Sequence, residues 1–285
     1  MICAIWTSSW RNTVADLRVV TVNTGKCDGE YRARIDLMSS QLGELAPDVI
    51  LLQECFAAVD GSADTLRALA ADLGMHATWA PARRKKRAFE SREIESDSGL
   101  GILTRVPLAE TQAVQLPADP RDGERLAQFG LLEVEDAVVL LANIHLTHLR
   151  DSGDLRRDQL ATVLAHPWLS RTDVTARLIC GDFNVKPPQV HDMIRVIGGG
   201  WDICDTYRLG QGEEPHTSLA PRGDGRGEPR VIDYILSVEA DSNSHPRCID
   251  SAVVLNRRDP TRRFYPSDHF GVATTLILRE AGTQK

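Results

Sequence analysis

The sequence predicts an α/β fold in which two packed sheets carry helices on their outer faces. Three observations lead there. Strand-like apolar runs and helix-period runs alternate along the chain, which rules out an all-α or all-β layout. Residues 126–134 and 138–145 pair as a hairpin across Glu135-Asp136, so the order is not a simple parallel repeat. The 285 residues, 42% apolar and 26% charged, suit one soluble domain of this class, with no composition break, long linker or fixed-period repeat.

Residues 1–16, with Trp6, Trp10 and Arg11, have no clear period and read as an arm or an extra edge strand before a single domain at 17–285. The first strand spans 17–23, with Val19, Val20 and Val22, and ends in the turn Asn23-Thr24-Gly25. Ile35, Leu37, Met38, Leu42 and Leu45 recur at helical spacing, and Pro47 closes that helix. A buried strand over 48–54 ends on the carboxylate of Glu54. A helix at 63–73 stops at Gly74, and 76–80 reads as a short strand. Residues 81–97 are polar, charged and without period, the signature of a loop. Strands follow at 100–103 and 106–116, then the hairpin, then a helix over 155–169. After the strand that starts at Ala176, Pro187-Pro188 opens a helix through Ile197. Residues 210–230 are rich in Gly, Pro and Arg and read as a loop, and strands at 231–237, 249–255 and 269–278 finish the chain.

The net charge of −7 argues weakly against a surface coated for polyanions, although charge is uneven locally. Cysteines stand at 3, 27, 55, 180, 204 and 248, with no close pair, a spacing that suggests neither a zinc site nor a disulfide framework. Cys180, within a strand, reads as a small buried hydrophobe. No apolar run suits a signal segment, and none approaches the ~20 residues of a membrane span. A soluble, cytoplasmic protein without an obligate protein partner is the expectation.

The chemistry centres on Gly181-Asp182-Phe183-Asn184 at the end of a buried strand. Side chains two apart on an extended chain share a side, so Asp182 and Asn184 project together while Phe183 turns into packing. A carboxylate beside an amide can hold and deprotonate a water next to a phosphate, and an ordinary Asp/Asn turn reads the same way. Glu54 is either a solvated strand end or a ligand for a hard cation. Asn23 taken singly is a turn residue, and a lone histidine such as His145 or His148 is usually structural. Asp233, between apolar neighbours, is costly to bury unless paired. His269 is the evident partner, and the pair would fix the imidazole tautomer and raise its pKa.

Asn23, Glu54, His145, Asp182, Asn184, Asp233, Asp268 and His269 fall at strand ends in a recurring order. With Val22-Asn23, Leu52-Gln53-Glu54, Asn143-Ile144-His145-Leu146, Gly181-Asp182-Phe183-Asn184, Ile232-Asp233-Tyr234-Ile235 and Ser267-Asp268-His269, the chain resembles the endonuclease/exonuclease/phosphatase superfamily with its deoxyribonuclease I-like fold. The stretch from Ser98 to Arg105 resembles the family's glycine-containing strand, and Arg156 with Gln159 its Arg-x-x-Gln helix start. The resemblance covers about residues 17–278 and implies a four-layer αββα sandwich with a metal-dependent phosphoesterase site. It implies Glu54 as principal Mg²⁺ ligand, Mn²⁺ substituting, with Asn23 and Asp268 nearby. Asp182 would orient or deprotonate the attacking water, and Asn184 would hold water or phosphate. His269, paired with Asp233, would meet developing charge on the phosphate, and His145 would contact the phosphate or protonate the leaving group. Without a cation, so many carboxylates would repel an anionic substrate.

Substrate choice is less determined. The abasic-site endonucleases of the superfamily usually carry tyrosine where this chain has His145, and their tryptophan-rich signature is missing, which counts against DNA repair. The aromatic membrane hairpin of sphingomyelinase-like members is also missing, with aromatic residues at 5%. The run Arg83-Arg84-Lys85-Lys86-Arg87, followed by Arg92, is either a solvated basic loop or a contact for a phosphate backbone. Arg222, Arg226 and Arg230 precede the Asp233 strand and suit an extended anion, and His216-Thr217 matches a family feature upstream of it. The leading expectation is a Mg²⁺-dependent phosphodiesterase acting on nucleic acid or a nucleotide-like diester. A small-molecule phosphomonoesterase, a sphingomyelinase-like lipid phosphodiesterase and a non-catalytic module of the same fold are the alternatives.

Overall fold

The structure, a computed structural model, describes residues 16–211, 216–218 and 229–278. The expected N-terminal arm therefore lies outside the described residues, as do Arg222 and Arg226. Twelve strands are present among those described: β1 (Asp16–Asn23), β2 (Val49–Ala58), β3 (His76–Phe89), β4 (Arg92–Thr104), β5 (Glu110–Gln115), β6 (Leu126–Val134), β7 (Ala137–His145), β8 (Ala176–Asp182), β9 (Asp202–Asp205), β10 (Asp233–Glu239), β11 (Arg247–Val254) and β12 (Gly271–Ile277). The helices are α1 (Tyr31–Leu45), α2 (Thr65–Leu73), α3 (Gly153–Leu164), α4 (Pro187–Ile197) and α5 (Thr206–Gln211).

The strands form two mixed six-stranded sheets, ordered β11-β12-β1-β2-β4-β3 and β5-β6-β7-β8-β10-β9. Each sheet has one parallel pair near its centre, β1 with β2 and β7 with β8, and antiparallel pairing elsewhere. A parallel pair needs a crossover. Helix α1 provides it in the first sheet and α3 in the second, so the two halves repeat one plan.

Strand periodicity sorts the apolar residues into layers. On β1, Leu17 and Val19 enter a core that also holds Leu51, Ile102, Leu141, Leu178 and Ile235, residues of both sheets. Val20 and Val22 face the other way, against Ile35, Met38 and Leu42 of α1 and Leu66 and Leu69 of α2. On the far side, Leu160 and Val163 of α3 and Val190 and Met193 of α4 cover the second sheet. The result is the expected αββα sandwich. Two amides join the sheets across the central core: Gln53 Nε2 donates to Asn143 Oδ1 at 2.7 Å, and Asn143 Nδ2 donates to the carbonyls of Leu52 and Gly101 at 3.0 Å. These buried bonds sit next to the strand ends that carry the site and hold both sheets in one register.

Several expected elements change. The segment at 81–97 is not a loop: β3 and β4 pair without interruption from Arg83↔Ser98 to Phe89↔Arg92. They turn through Glu90 (φ 45°) and Ser91 (φ 67°), a two-residue left-handed turn made without the usual Asn-Gly. The strand ahead of the Pro107 segment is longer than expected, and the next begins at Glu110, because Pro107 cannot donate to a ladder. Helix α3 stops at Leu164, and Pro167–Ser170 forms a separate 3₁₀ turn capped by His166. The short β9 and α5 had no sequence signal. No helix among the described residues is long and apolar enough to cross a membrane.

Candidate active site

The carboxyl ends of β7 and β8 and the start of β10 bring three side chains to one level. His145 pairs in register with Asp182, and Asp182 with Asp233. Gly181 makes that level possible. Its φ is +138°, and a Cβ there would stand 1.9 Å from the Ile144 carbonyl oxygen, so β7 and β8 approach where no side chain fits. Phe183 is buried, as its alternation predicts, while Asn184 takes a left-handed φ of 54° and curls back.

Asp182 is the hub. Asn184 N donates to its Oδ1 at 2.9 Å and Asn23 Nδ2 to its Oδ2 at 3.1 Å. That same Oδ2 stands 3.4 Å from His145 Nε2 and 3.8 Å from His269 Nε2. The other nitrogen of His269, Nδ1, lies 2.9 Å from Asp233 Oδ2, so the anticipated Asp–His pair is present. Asn184 Nδ2 donates to the Leu146 carbonyl at 3.1 Å, which fixes the turn. Thr217, one of the few described residues of its segment, donates nothing to the carboxylates. Its Oγ1 instead accepts from Asp233 N at 3.1 Å and anchors the strand start.

Burial sets the titration of these groups in opposite directions. It pushes the Asp182 carboxyl well above its usual range, and the Asp233 charge adds to that. It pushes His145 well below its usual value, reinforced by Arg125, Lys26 and His269, so this imidazole is neutral at pH 7. Burial also opposes charge on His269, but Asp233, then Asp182 and Asp268, outweigh it and raise its pKa to about 10. The site thus presents one imidazolium and one neutral imidazole on the same carboxylate oxygen, a division suited to acid–base work.

Glu54 does not end its strand, as the apolar run suggested. β2 continues to Ala58, with a break in register between Leu52 and Cys55, and Glu54 has a left-handed φ of 55°. A bulge re-aims a side chain, and here it turns Glu54 out of the ladder, with Lys26 Nζ against its Oε1 at 2.5 Å. Asn23 Oδ1 accepts from Gly25 N at 3.0 Å. Ser267 Oγ lies 2.6 Å from Asn23 O and 3.2 Å from Asp268 Oδ1, which ties the exposed Asp268 to the β1 end. Glu54, Asn23 and Asp268 offer oxygen donors only, the set that a hard divalent cation takes, and the ammonium on Glu54 marks a carboxylate placed to hold positive charge. The donor chemistry is that of a hard divalent cation. Asp182, Asp233 and His269 also lie close enough to ligate a metal; within that group His269 is hydrogen-bonded to Asp233 at 2.9 Å and stands 3.8 Å from Asp182.

Beside Glu54 and His145 opens a cavity of about 170 Å³ lined by Lys26, Arg83, Lys85, Arg87, Asp122 and Arg125. Strand alternation divides the basic run. Arg83, Lys85 and Arg87 face the cavity, whereas Arg84 pairs with Asp97 at 2.8 Å and Lys86 with Glu93 at 3.5 Å on the other face. Arg87 is buried and donates to Ser96 O, Ser96 Oγ and Ser98 Oγ, so part of its charge is bound within β4. Arg92 pairs with Asp60 at 3.1 Å, away from this cavity. His148 contacts Asp122 Oδ1 at 2.8 Å and also lines this cavity. Sequence reasoning missed Lys26, Arg125 and Asp122. Only the shared strand-end position of Lys26, three residues after Asn23, could have pointed to it.

The family model described as endonuclease/exonuclease/phosphatase family matches residues 20–269. The chain belongs to that family. Its members hydrolyse phosphoester bonds. Solved structures share the fold. One is an endonuclease/exonuclease/phosphatase family protein from Leptotrichia buccalis, with TM-score 0.69 and 17% identity over 91% of this chain and 99% of that one. A second is D. rerio TDP2 complexed with a single-strand DNA product, with TM-score 0.70 and 18% identity over 92% and 99%. A third, from Beutenbergia cavernae, is an endonuclease/exonuclease/phosphatase with TM-score 0.69 and 23% identity over 92% and 72%. No curated protein sequence matches the chain. At these identities the neighbours speak for the fold alone.

Proposed function

We propose that this chain is a divalent-metal-dependent phosphodiesterase that cleaves nucleic acid or nucleotide-like diesters by in-line attack of water. The observation that carries the proposal is the meeting of Asn23, His145, Asp182, Asn184, Asp233 and His269 at one end of both sheets, beside a cavity lined by Glu54 and the five basic side chains Lys26, Arg83, Lys85, Arg87 and Arg125. Asp182, held by two N–H donors, orients the attacking water and accepts its proton as the reaction proceeds. Asn184 helps hold that water or the phosphate. His269, kept protonated by Asp233, stabilises charge that develops on the phosphate oxygens. Neutral His145, beside the same Asp182 oxygen, contacts the phosphate. Glu54, with Asn23 and Asp268, would hold Mg²⁺ or Mn²⁺, which supplies Lewis-acid stabilisation of the phosphoryl oxygens. An extended anion fits the cavity because Arg83, Lys85 and Arg87 project along one strand face toward the catalytic end. The single-strand DNA product bound by the zebrafish TDP2 structure supports a nucleic acid over a small ester.

The deciding experiment is turnover of bis-p-nitrophenyl phosphate, p-nitrophenyl phosphate, single- and double-stranded DNA, RNA and sphingomyelin, each with Mg²⁺, with Mn²⁺ and with EDTA. Diester cleavage that vanishes in EDTA and returns with metal is expected, and Glu54→Gln should lose most of it while keeping the wild-type circular dichroism spectrum. Full turnover in chelator would end the metal reading. Cleavage of the monoester alone would replace the phosphodiesterase with a phosphatase.

A further inference from the structure

We propose that Asp202, Cys204 and His245 form a transition-metal site of the zinc class, separate from the phosphoesterase centre. Asp202 and Cys204 stand two apart on β9 with Ile203 between them. Ile203 packs into the helix-side core of the second sheet, so the carboxylate and the thiol share the other face. His245 comes from the turn between β10 and β11, and one donor atom from each residue lies within 4.8 Å of the other two. Cys204 pairs with Ser237 in the β9–β10 ladder. Ser237 lies four residues along β10 from Asp233, roughly 13 Å at strand rise.

The histidine is oriented as a metal ligand requires. Its Nδ1 lies 2.8 Å from the Oγ of buried Ser237, which leaves Nε2 directed at Asp202 Oδ2, 3.4 Å away. Ligating histidines characteristically have their second ring nitrogen bonded in this way, which fixes tautomer and ring angle. Bonds of about 2.0–2.1 Å at a tetrahedral centre put two ligand atoms about 3.4 Å apart, and the Nε2 to Oδ2 distance already matches. The set of one sulfur, one nitrogen and one oxygen suits Zn²⁺ or Co²⁺ and not Mg²⁺. The His245 side chain is 8% exposed and that of Asp202 40%, so the site is walled on the protein side and open to a fourth, solvent ligand on the other. The cysteine spacing hides this arrangement because the three donors meet across a ladder and a turn. Its place indicates its role: β9 is the outermost strand of the second sheet, and His245 lies on the connection that passes from that sheet to β11 of the first. An ion there would clip the edge strand to the crossover.

The test uses the full chain stripped with EDTA and titrated with Co²⁺, then with Zn²⁺ in competition. In wild type one equivalent of the bound Co²⁺, apart from any that fills the phosphoesterase centre, should give thiolate-to-Co²⁺ charge-transfer absorption in the near ultraviolet, and Zn²⁺ should displace that equivalent and raise Tm. His269→Ala and Glu54→Gln should keep that band, since the phosphoesterase centre has no cysteine. Cys204→Ser should abolish it, Asp202→Asn, an isosteric change at a half-exposed side chain, should weaken binding at least tenfold, and Ser237→Ala should weaken it about 10–100-fold. A Co²⁺ spectrum without thiolate absorption overturns the proposal. So does Zn²⁺ affinity unchanged by both Cys204→Ser and Asp202→Asn, or binding lost in His269→Ala but kept in those two.

Discussion

If β3 presents only alternate members of its basic run to a polyanion, two double substitutions of equal charge should behave differently. Arg83→Ser/Lys85→Ser removes two cations that line the cavity next to Glu54 and His145. Arg84→Ser/Lys86→Ser removes two whose charge is already paired with Asp97 and Glu93 on the opposite face. Arg87 is left in place because it is buried and bonded to Ser96 and Ser98, so its loss would confound binding with stability. Each lost phosphate contact lowers the slope of log K against log salt by about 0.7 for a single strand and 0.9 for duplex. Two contacts give about 1.4 or 1.8. Over a fourfold rise in salt the affinity gap between wild type and the inner-face variant should therefore narrow roughly sevenfold on single strands and twelvefold on duplex. Exposed ion pairs contribute about 0–1 kcal/mol, so the outer-face variant should keep the wild-type slope. The assay is fluorescence anisotropy of a labelled oligonucleotide, in a His269→Ala background without divalent ions, at salt concentrations from about 50 to 200 mM. Equal loss of slope in both variants would show that strand alternation does not select the contacts. No loss in either would make the whole run a solvated face and remove the main support for a nucleic-acid substrate.

Asp233→Asn should lower turnover by about 10²–10⁴-fold, because His269 loses the anion that orients and charges it, and wild-type turnover would refute the pairing. The same substitution has a signature in stability. His269 is raised to about 10 in the fold from about 6.5 unfolded, so its contribution is complete below pH 6.5 and is lost as pH rises through 10. Urea melts across that interval should show wild type losing stability more steeply than Asp233→Asn, and parallel curves would contradict the assignment. Gly181→Ala should destabilise the protein by about 3 kcal/mol or more, since it combines a strained φ with a clash against the Ile144 carbonyl. A Tm within a degree of wild type would show that β7 and β8 can separate there.

The parts of the fold and site that could be read from sequence share one property: their cause is local. A carboxylate at the end of an apolar run, as at Asp182, is positioned by the strand that precedes it, and a buried Asp in apolar surroundings, as at Asp233, must find a partner. Both inferences use only neighbouring residues and the cost of burying charge, and both agree with the hydrogen bonds of His269 and Asn23. The apolar runs that become β1, β2, β7 and β8, and the helical period between each two, were legible for the same reason, whereas their parallel pairing was not.

The rest depends on pairing between distant segments. The apolar run at 48–54 gives no sign that β2 continues past Glu54, because a bulge is visible only against the partner strand, and here that partner is β4. Nor does the run of five basic residues look like a strand: with charge at every position, the period of two is invisible until Asp97 and Glu93 arrive on one face and the cavity on the other. The two misreadings have one origin and meet at one place. β4 pairs with β2 on one edge and β3 on the other, so the strand that forces Glu54 out of its ladder also carries Arg83 and Lys85 to the cavity beside it. Lys26 bridges the two, with its ammonium on Glu54 and the residue in the cavity lining. A hard cation at Glu54 would have to displace that ammonium, and the freed lysine would then add to the positive face that meets the substrate. Metal affinity and anion affinity should consequently rise together in this site, and a chain without Lys26 should lose that coupling while keeping each of the two separately.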